Sequence, residues 1–214
     1  MNYVDVYDHL ANVALVARKC PSTVLRRAYV SAMRQWCAET QWLRTTVAGN
    51  TVSGTQLYSL GDDTYLQIIG VRAASLTQTG GDVIGLSPSD SSTWNPNHQN
   101  DTPRWYAYTP EAQIALFPTP DAVYAMTFSV IVQPKSDDVS QVPADPLKKY
   151  STTFEAGALA YLLALPGQPW TDPVGAATNA RMFRSGISNG KAEVQRSFNT
   201  GSQRARPRPF VVGR

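Results

Sequence analysis

A chain of 214 residues, 43% apolar and only 16% charged, has enough material for a real hydrophobic core and needs no stapling. A typical charged share is about 25%, so the composition excludes an intrinsically disordered chain and implies a sparsely charged surface, part of which is expected to meet another protein. The net charge of +3 conceals an asymmetry: residues 181–214 hold 8 basic residues and 1 acidic (+7), while residues 1–180 hold 11 and 15 (−4), so basicity belongs to one end.

Met1 to Leu10 has no basic leader and carries Asp5 and Asp8, unlike a secretory signal. The apolar segment Val4 to Arg18 is expected to form a short helix before the Cys20-Pro21 turn. Residues 22–40 carry the clearest helical period. Leu25, Ala28, Tyr29, Ala32, Met33, Trp36 and Cys37 recur at steps of three and four, with Arg26, Arg27, Arg34 and Gln35 opposite. Ser22 is the expected N-cap. Cys20 and Cys37 stand in no metal-ligand spacing and are read as reduced thiols.

Between Gly49 and Pro143 short β-branched or aromatic runs alternate with Gly, Pro, Asn, Asp and Ser, the pattern of strands and hairpins. Strands are predicted at Gln56 to Leu60, Tyr65 to Ala73, Arg104 to Thr109, Gln113 to Phe117 and Ala122 to Val132. In the last, Tyr124, Met126, Phe128, Val130 and Val132 occupy alternate positions and line one face. Ser87 to Pro103 reads as a long loop on the sheet edge.

Helical signals return at Asp145-Pro146, a cap followed by a proline, and run to about Leu165. Tyr150, Phe154, Gly157, Ala158, Tyr161, Leu162 and Leu165 form the expected buried face. Asp172-Pro173 repeats the device, and Ala176, Ala177, Ala180, Phe183 and Ile187 give the next helix its face. Gly186 and Gly190 are expected to weaken and kink it. From Asn199 there is no period. The fold class is α+β: an antiparallel helix bundle from both chain ends (1–48 and 144–198), an inserted antiparallel β domain (49–143) and an extended basic C-terminal tail (199–214). The longest apolar run, Ala156 to Leu165, is half a membrane span, so no membrane role is expected of a protein made in a cytoplasm.

Catalytic signals are weak. His9 lies on a predicted helix and reads as a surface or packing residue; His98 sits in a turn-rich loop without Cys or His neighbours. There is no phosphate-binding loop, dinucleotide fingerprint or HExxH, so no cofactor or metal is expected. Asp62-Asp63 and Asp137-Asp138 sit in turns, where Asp serves local backbone hydrogen bonds. The sequon Asn100-Asp101-Thr102 has no meaning without secretion. The tail is different: Arg204, Arg206, Arg208 and Arg214 put +4 on 16 residues, and Pro207 and Pro209 hold Arg206 and Arg208 extended. Phe210-Val211-Val212 suits a pocket or an added-strand position on a partner.

The run KCPSTVLRRAYVSAMRQWCAETQWL (Lys19 to Leu43), Gln56 to Leu60 with YLQIIGVRAASL (Tyr65 to Leu76), Thr102 to Tyr106, IALFPTP (Ile114 to Pro120) and FEAGALAYLLALPGQPW (Phe154 to Trp170) together resemble the tailed-bacteriophage head-to-tail adaptor (connector, head-completion) family. The resemblance covers nearly the whole chain and rests on packing motifs, with Trp36, Trp42, Phe154 and Leu162 as core anchors. It implies no enzyme activity. It implies a virion protein at the head-tail junction: a homo-oligomeric ring, commonly a dodecamer, between the portal protein and a tail (nozzle or tail-tube) protein, with genomic DNA passing through without specific binding. It also implies C-terminal segments that reach the portal, which makes Arg204, Arg206, Arg208, Phe210, Val211, Val212 and Arg214 the expected portal contacts. The alternatives are a nucleic-acid-binding module using the basic end, which the acidic remainder opposes, and a tail or receptor-binding protein, which the bracketing helices fit poorly.

Overall fold

The structure is a computed structural model that describes residues 1–61, 63–78, 80–89, 100–109 and 111–198. The segment expected as one helix over Val4 to Arg18 is broken into three pieces. Strand β1 (Tyr3–Asp5) pairs antiparallel with Gln141–Pro143, a 3-10 turn follows over Val6–His9, and α1 (Ala11–Val16) is only six residues long. Asp5 is the cause: in an extended conformation, its carboxylate accepts a 2.9 Å hydrogen bond from the Tyr7 N–H and starts a new turn there. Val6, Leu10, Val13 and Ala17 are buried by this path.

Helix α2 (Ser22–Thr40) has the expected bounds, but Pro21 holds the N-cap position and Ser22 is already helical, with no side-chain cap. All seven apolar residues of its predicted face are buried, and Val30 and Thr40 join them. Gln41, in the left-handed region at φ 54°, closes the helix as its N–H donates to the Cys37 carbonyl. The opposite face is not merely solvated. Asp138 accepts from Arg27 Nε at 2.6 Å and lies 3.6 Å from Arg26, while Asp137 accepts from Arg34 at 2.7 Å. These two carboxylates therefore tie the turn at 135–140 to α2 instead of serving only their own backbone, a partner that lies about 100 residues away and leaves no local signature. Asp63 does serve local backbone, accepting from Tyr65 and Leu66 N–H, and takes a third bond from the Tyr3 hydroxyl.

The larger sheet has seven strands: β2 (Arg44–Asn50), β3 (Leu57–Ser59), β4 (Leu66–Thr77), β5 (Val83–Pro88), β6 (Trp105–Thr109), β7 (Gln113–Phe117) and β8 (Ala125–Pro134), in the order β2-β8-β4-β5-β6-β7-β3. Its spine is the long β4-β8 pair, in which β4 carries register shifts at Ile68/Gly70 and Val71/Ala73. The alternate residues Tyr124 to Val132 are all buried. Two of the strands, β2 and β5, do not stand out in the sequence, because RTTVAGN and VIGLSP contain too few buried residues to show alternation.

The insertion is mixed rather than wholly antiparallel: β5 and β6 run parallel, Ser87 opposite Trp105 and Pro88 opposite Tyr106. Parallel neighbours need a crossover, so the connection expected at the sheet edge joins two interior strands; its residues 90–99 lie outside those described. The last strand, β9 (Gln141–Pro143), is the partner of β1 and leads directly into the helices.

Helix α3 (Ala144–Leu163) starts one residue before Asp145, whose carboxylate accepts from Lys148 Nζ at 3.0 Å instead of capping the helix, and Tyr150 breaks the helical backbone at φ −121°, ψ 16°. Tyr150, Phe154, Gly157, Ala158 and Leu162 are buried, whereas Tyr161 is 59% exposed, contrary to its expected place in the core. Helix α4 (Pro173–Gln195) begins as predicted, Asp172 accepting from the Val174 and Gly175 N–H groups.

Gly186 and Gly190 do not kink α4. They are buried where it lies against α2 and α3: a Cβ on Gly186 would collide with Thr153, and one on Gly190 would sit 2.8 Å from Thr40 Cγ2 and 2.9 Å from Trp36 Cζ2. Gly157 performs the same service on α3, facing Ala32 and Phe183 at 2.7 and 2.8 Å. Gly190→Ala is accordingly expected to destabilise the fold by about 1–2 kcal/mol, overpacking outweighing the roughly 1 kcal/mol gained in helix propensity. Urea unfolding checks this; an unchanged or higher midpoint contradicts the close approach.

Candidate assembly surface at the root of the C-terminal segment

The last described residues sit on an aromatic cluster assembled from three parts of the chain. Trp36, fully buried on α2, has its ring centroid 4.6 Å from Tyr150, 5.3 Å from Phe154 and 5.8 Å from Trp42. Its indole N–H donates to the Gly186 carbonyl at 3.3 Å. Trp42 is half-buried and passes the stack outward: Phe198 lies 5.6 Å from it, edge to face. The Arg44 guanidinium stands 5.2 Å from the Phe198 ring centroid, on the cation-π side of the same ring. The chain thus leaves the described fold at the start of β2.

Glu193, on the last turns of α4, holds the same corner. Its carboxylate accepts from Lys149 Nζ at 2.5 Å, the Tyr150 hydroxyl at 2.6 Å and Trp42 Nε1 at 3.1 Å. Burial pushes this carboxyl up, but the three donors and the Lys149 charge outweigh it, so it is held below the ordinary carboxylate range. The Tyr150 hydroxyl is pushed up, first by burial and then by Glu193. Because the folded carboxyl is the more acidic one, its stabilisation is complete above the unfolded value of about 4.3 and is lost as pH falls through the lower folded value. Glu193→Gln is therefore expected to lower stability by about 1–2 kcal/mol at pH 7. The difference from the parent should vanish in strong acid; a pH-independent difference in unfolding midpoints contradicts the charge assignment.

Of the residues singled out in the sequence, Arg204, Arg206, Arg208, Phe210, Val211, Val212 and Arg214 lie outside the described residues. Trp36, Trp42 and Phe154 are brought together here; Leu162, fully buried, is about two turns further along α3. Glu193, Arg44 and Phe198 were not legible as a group. The available signal was that Glu193 is the sole acid after residue 180 and that Phe198 follows the last helical period without a partner of its own. A groove of about 660 Å³, lined by Lys149, Tyr150, Thr153, Asn189, Arg196 and Phe198, opens beside them.

His9 is half-buried at the end of the 3-10 turn, and His98 lies outside the described residues. Burial pushes the Cys37 thiol up to about 12, so it is an inert packing group, and Cys20 is also free. Among the described residues no group of three or more His, Cys, Asp or Glu side chains is placed to hold a metal ion, and no helix is long and apolar enough to cross a membrane.

No curated protein matches the chain. The family model described as SU10 adaptor protein matches residues 1–208, which takes in the helices of both ends, the β insertion, the aromatic root and most of the basic segment. The chain belongs to the SU10 adaptor protein family, and is a non-catalytic structural protein of the bacteriophage head-to-tail adaptor (connector, head-completion) type.

Proposed function

We propose that this protein forms a twelvefold ring at the head-tail junction of the virion, seated on the portal and presenting its other face to a tail nozzle or tube protein. The family match over residues 1–208 carries this reading. In it the helical body of residues 1–48 and 144–198 builds the ring wall, residues 49–143 form the β insertion, and residues 199–214 bind the portal. Arg204, Arg206, Arg208 and Arg214 pair there with carboxylates, and Phe210, Val211 and Val212 fill apolar sites.

The charge split supports a passive channel: the acid excess of residues 1–180 lies in the β insertion, where residues 49–143 hold 3 basic and 9 acidic residues (−6), so a channel surface formed by the insertion repels a duplex rather than gripping it. The free protein stays monomeric or weakly associated, and the heterologous ring closes on its template. Light scattering with and without a portal ring, followed by imaging of the joint particles, tests this. Twelvefold density under the portal is the expected result. A stable dimer indifferent to portal, or a ring wall that still grips duplex DNA at about 0.2 M salt, overturns it.

A further inference from the structure

Strand β2 is the end strand of the seven-stranded sheet, and among the described residues no strand pairs with its outer edge over its seven residues. Leu43 O accepts from Val132 N–H and Tyr124 O from Thr51 N–H, so the odd-numbered residues between them are the ones that exchange hydrogen bonds with β8. Arg44, Thr46, Ala48 and Asn50 therefore turn their N–H and C=O groups away from the sheet. Edge strands are usually blunted by a lysine, a proline or a bulge; RTTVAGN contains no lysine or proline and pairs with β8 without a register shift. Thr45, Thr46 and Val47 border a groove of about 290 Å³ whose lining includes Leu60, Leu66, Ile68 and Val132.

We propose that this edge is the docking site for residues 206–212 of the same chain, added as an eighth strand antiparallel to β2 in the free protein. Where the chain leaves the fold decides the occupant. Phe198 is seated on Trp42 and Arg44, at the head of β2, and the seven residues 199–205 span at most about 23–25 Å, the length of β2 itself. A tether of that length gives an effective concentration in the millimolar range, which favours the chain's own segment over a second copy.

The sequence of the segment has the matching parity. Prolines at 207 and 209 lack N–H groups on one side of an extended strand only, so Arg206, Arg208, Phe210 and Val212 keep theirs for pairing. With Arg206 opposite Asn50, Arg208 opposite Ala48, Phe210 opposite Thr46 and Val212 opposite Arg44, the arginines share the face of exposed Thr46 and Ala48. Pro207, Pro209 and Val211 share the face of Thr45, Val47 and Gly49 beside the groove. The two prolines then guard the new outer edge, supplying the protection that β2 lacks. This inference is independent of portal docking, because it concerns the protein without portal.

Residue-resolved amide hydrogen exchange on the full chain and on a chain ending at Phe198, both without portal, tests the proposal. The Thr46 and Ala48 amides should exchange at least about tenfold more slowly in the full chain. Within the segment, Arg206, Arg208 and Phe210 should be protected while Ala205 and Val211 exchange freely. Equal Thr46 and Ala48 rates in the two chains overturn the proposal. Protection that disappears on dilution also overturns it, since the strand then comes from a second copy.

Discussion

Trp36→Ala is expected to cost about 3–5 kcal/mol, the range for removing a large aromatic side chain from a packed core, and so to consume a large part of the roughly 5–15 kcal/mol that holds a typical domain folded. The indole is fully buried and touches three other rings, those of Trp42, Tyr150 and Phe154. Its loss also leaves the Gly186 carbonyl without the indole N–H and removes the wall against which Gly190 packs. Three helices meet at this side chain, so collapse around the cavity requires α2, α3 and α4 to move together, and little relief is available. Trp36→Phe keeps most of the volume and should recover more than half of the loss. Guanidinium unfolding of the three proteins reads this directly. A Trp36→Ala midpoint within about 1 kcal/mol of the parent would show that the rings do not form the centre of the helical body.

Ending the chain at Phe198 is expected to separate stability from assembly. The root is held by contacts that truncation leaves in place: Phe198 packs on Trp42 and Arg44, and Glu193 holds Lys149, Tyr150 and Trp42. The truncated protein should therefore keep its fold and lose only about 1–2 kcal/mol relative to the full chain, the contribution of the docked segment to the protein without portal. Portal docking, in contrast, should be lost, because 4 arginines and the Phe210-Val211-Val212 triplet go with the segment. Co-sedimentation with a portal ring, scored against unfolding midpoints, distinguishes the two effects. Docking of the truncated chain with undiminished affinity would transfer the portal contact to the body and sink the proposed role of the tail. Replacing the four arginines with glutamine gives an intermediate outcome if charge and the apolar triplet contribute separately.

The helical body was largely legible in the sequence because helix burial is written at a period of 3.6. The bounds and buried face of α2 follow from residues 22–40 alone, and the Asp172-Pro173 start of α4 follows from cap chemistry that needs only neighbouring atoms. Among the strands, β7 and β8 were equally plain: β7 is a short apolar run whose Ile114, Ala115 and Leu116 are all buried, and β8 places the alternate residues Met126, Phe128, Val130 and Val132 in the core. What the local pattern could not carry was any feature whose cause lies elsewhere in the chain. β1 exists because Gln141–Pro143 pairs with it, and β5 is a strand in a sheet whose parallel neighbour, β6, lies beyond a stretch that reads locally as a loop.

The clearest cases are single residues whose local meaning was overturned by a distant partner. Gly186 and Gly190 have poor helix propensity, and by that measure they ought to weaken α4; in the fold they are the contact points at which it reaches Thr153, Thr40 and Trp36. Asp137 and Asp138 have the composition of a turn, yet they reach the arginines of α2. Tyr161 falls on the apolar face of α3 by spacing but is 59% exposed, bordering a groove whose other walls include Gln35 and Glu39 of α2 and Phe183 and Ile187 of α4. Spacing and capping act through atoms within a few residues, so the sequence by itself determined the helices, most strands and the division between a helical body, a β insertion and a basic end. Strand order and the edge position of β2 depend on pairings between distant strands, Arg44 standing opposite Ile131, and the aromatic root on contacts more widely separated still, such as Trp36 with Tyr150 and Trp42 with Phe198, so local spacing carries none of them and they are decided only when those segments meet in the fold.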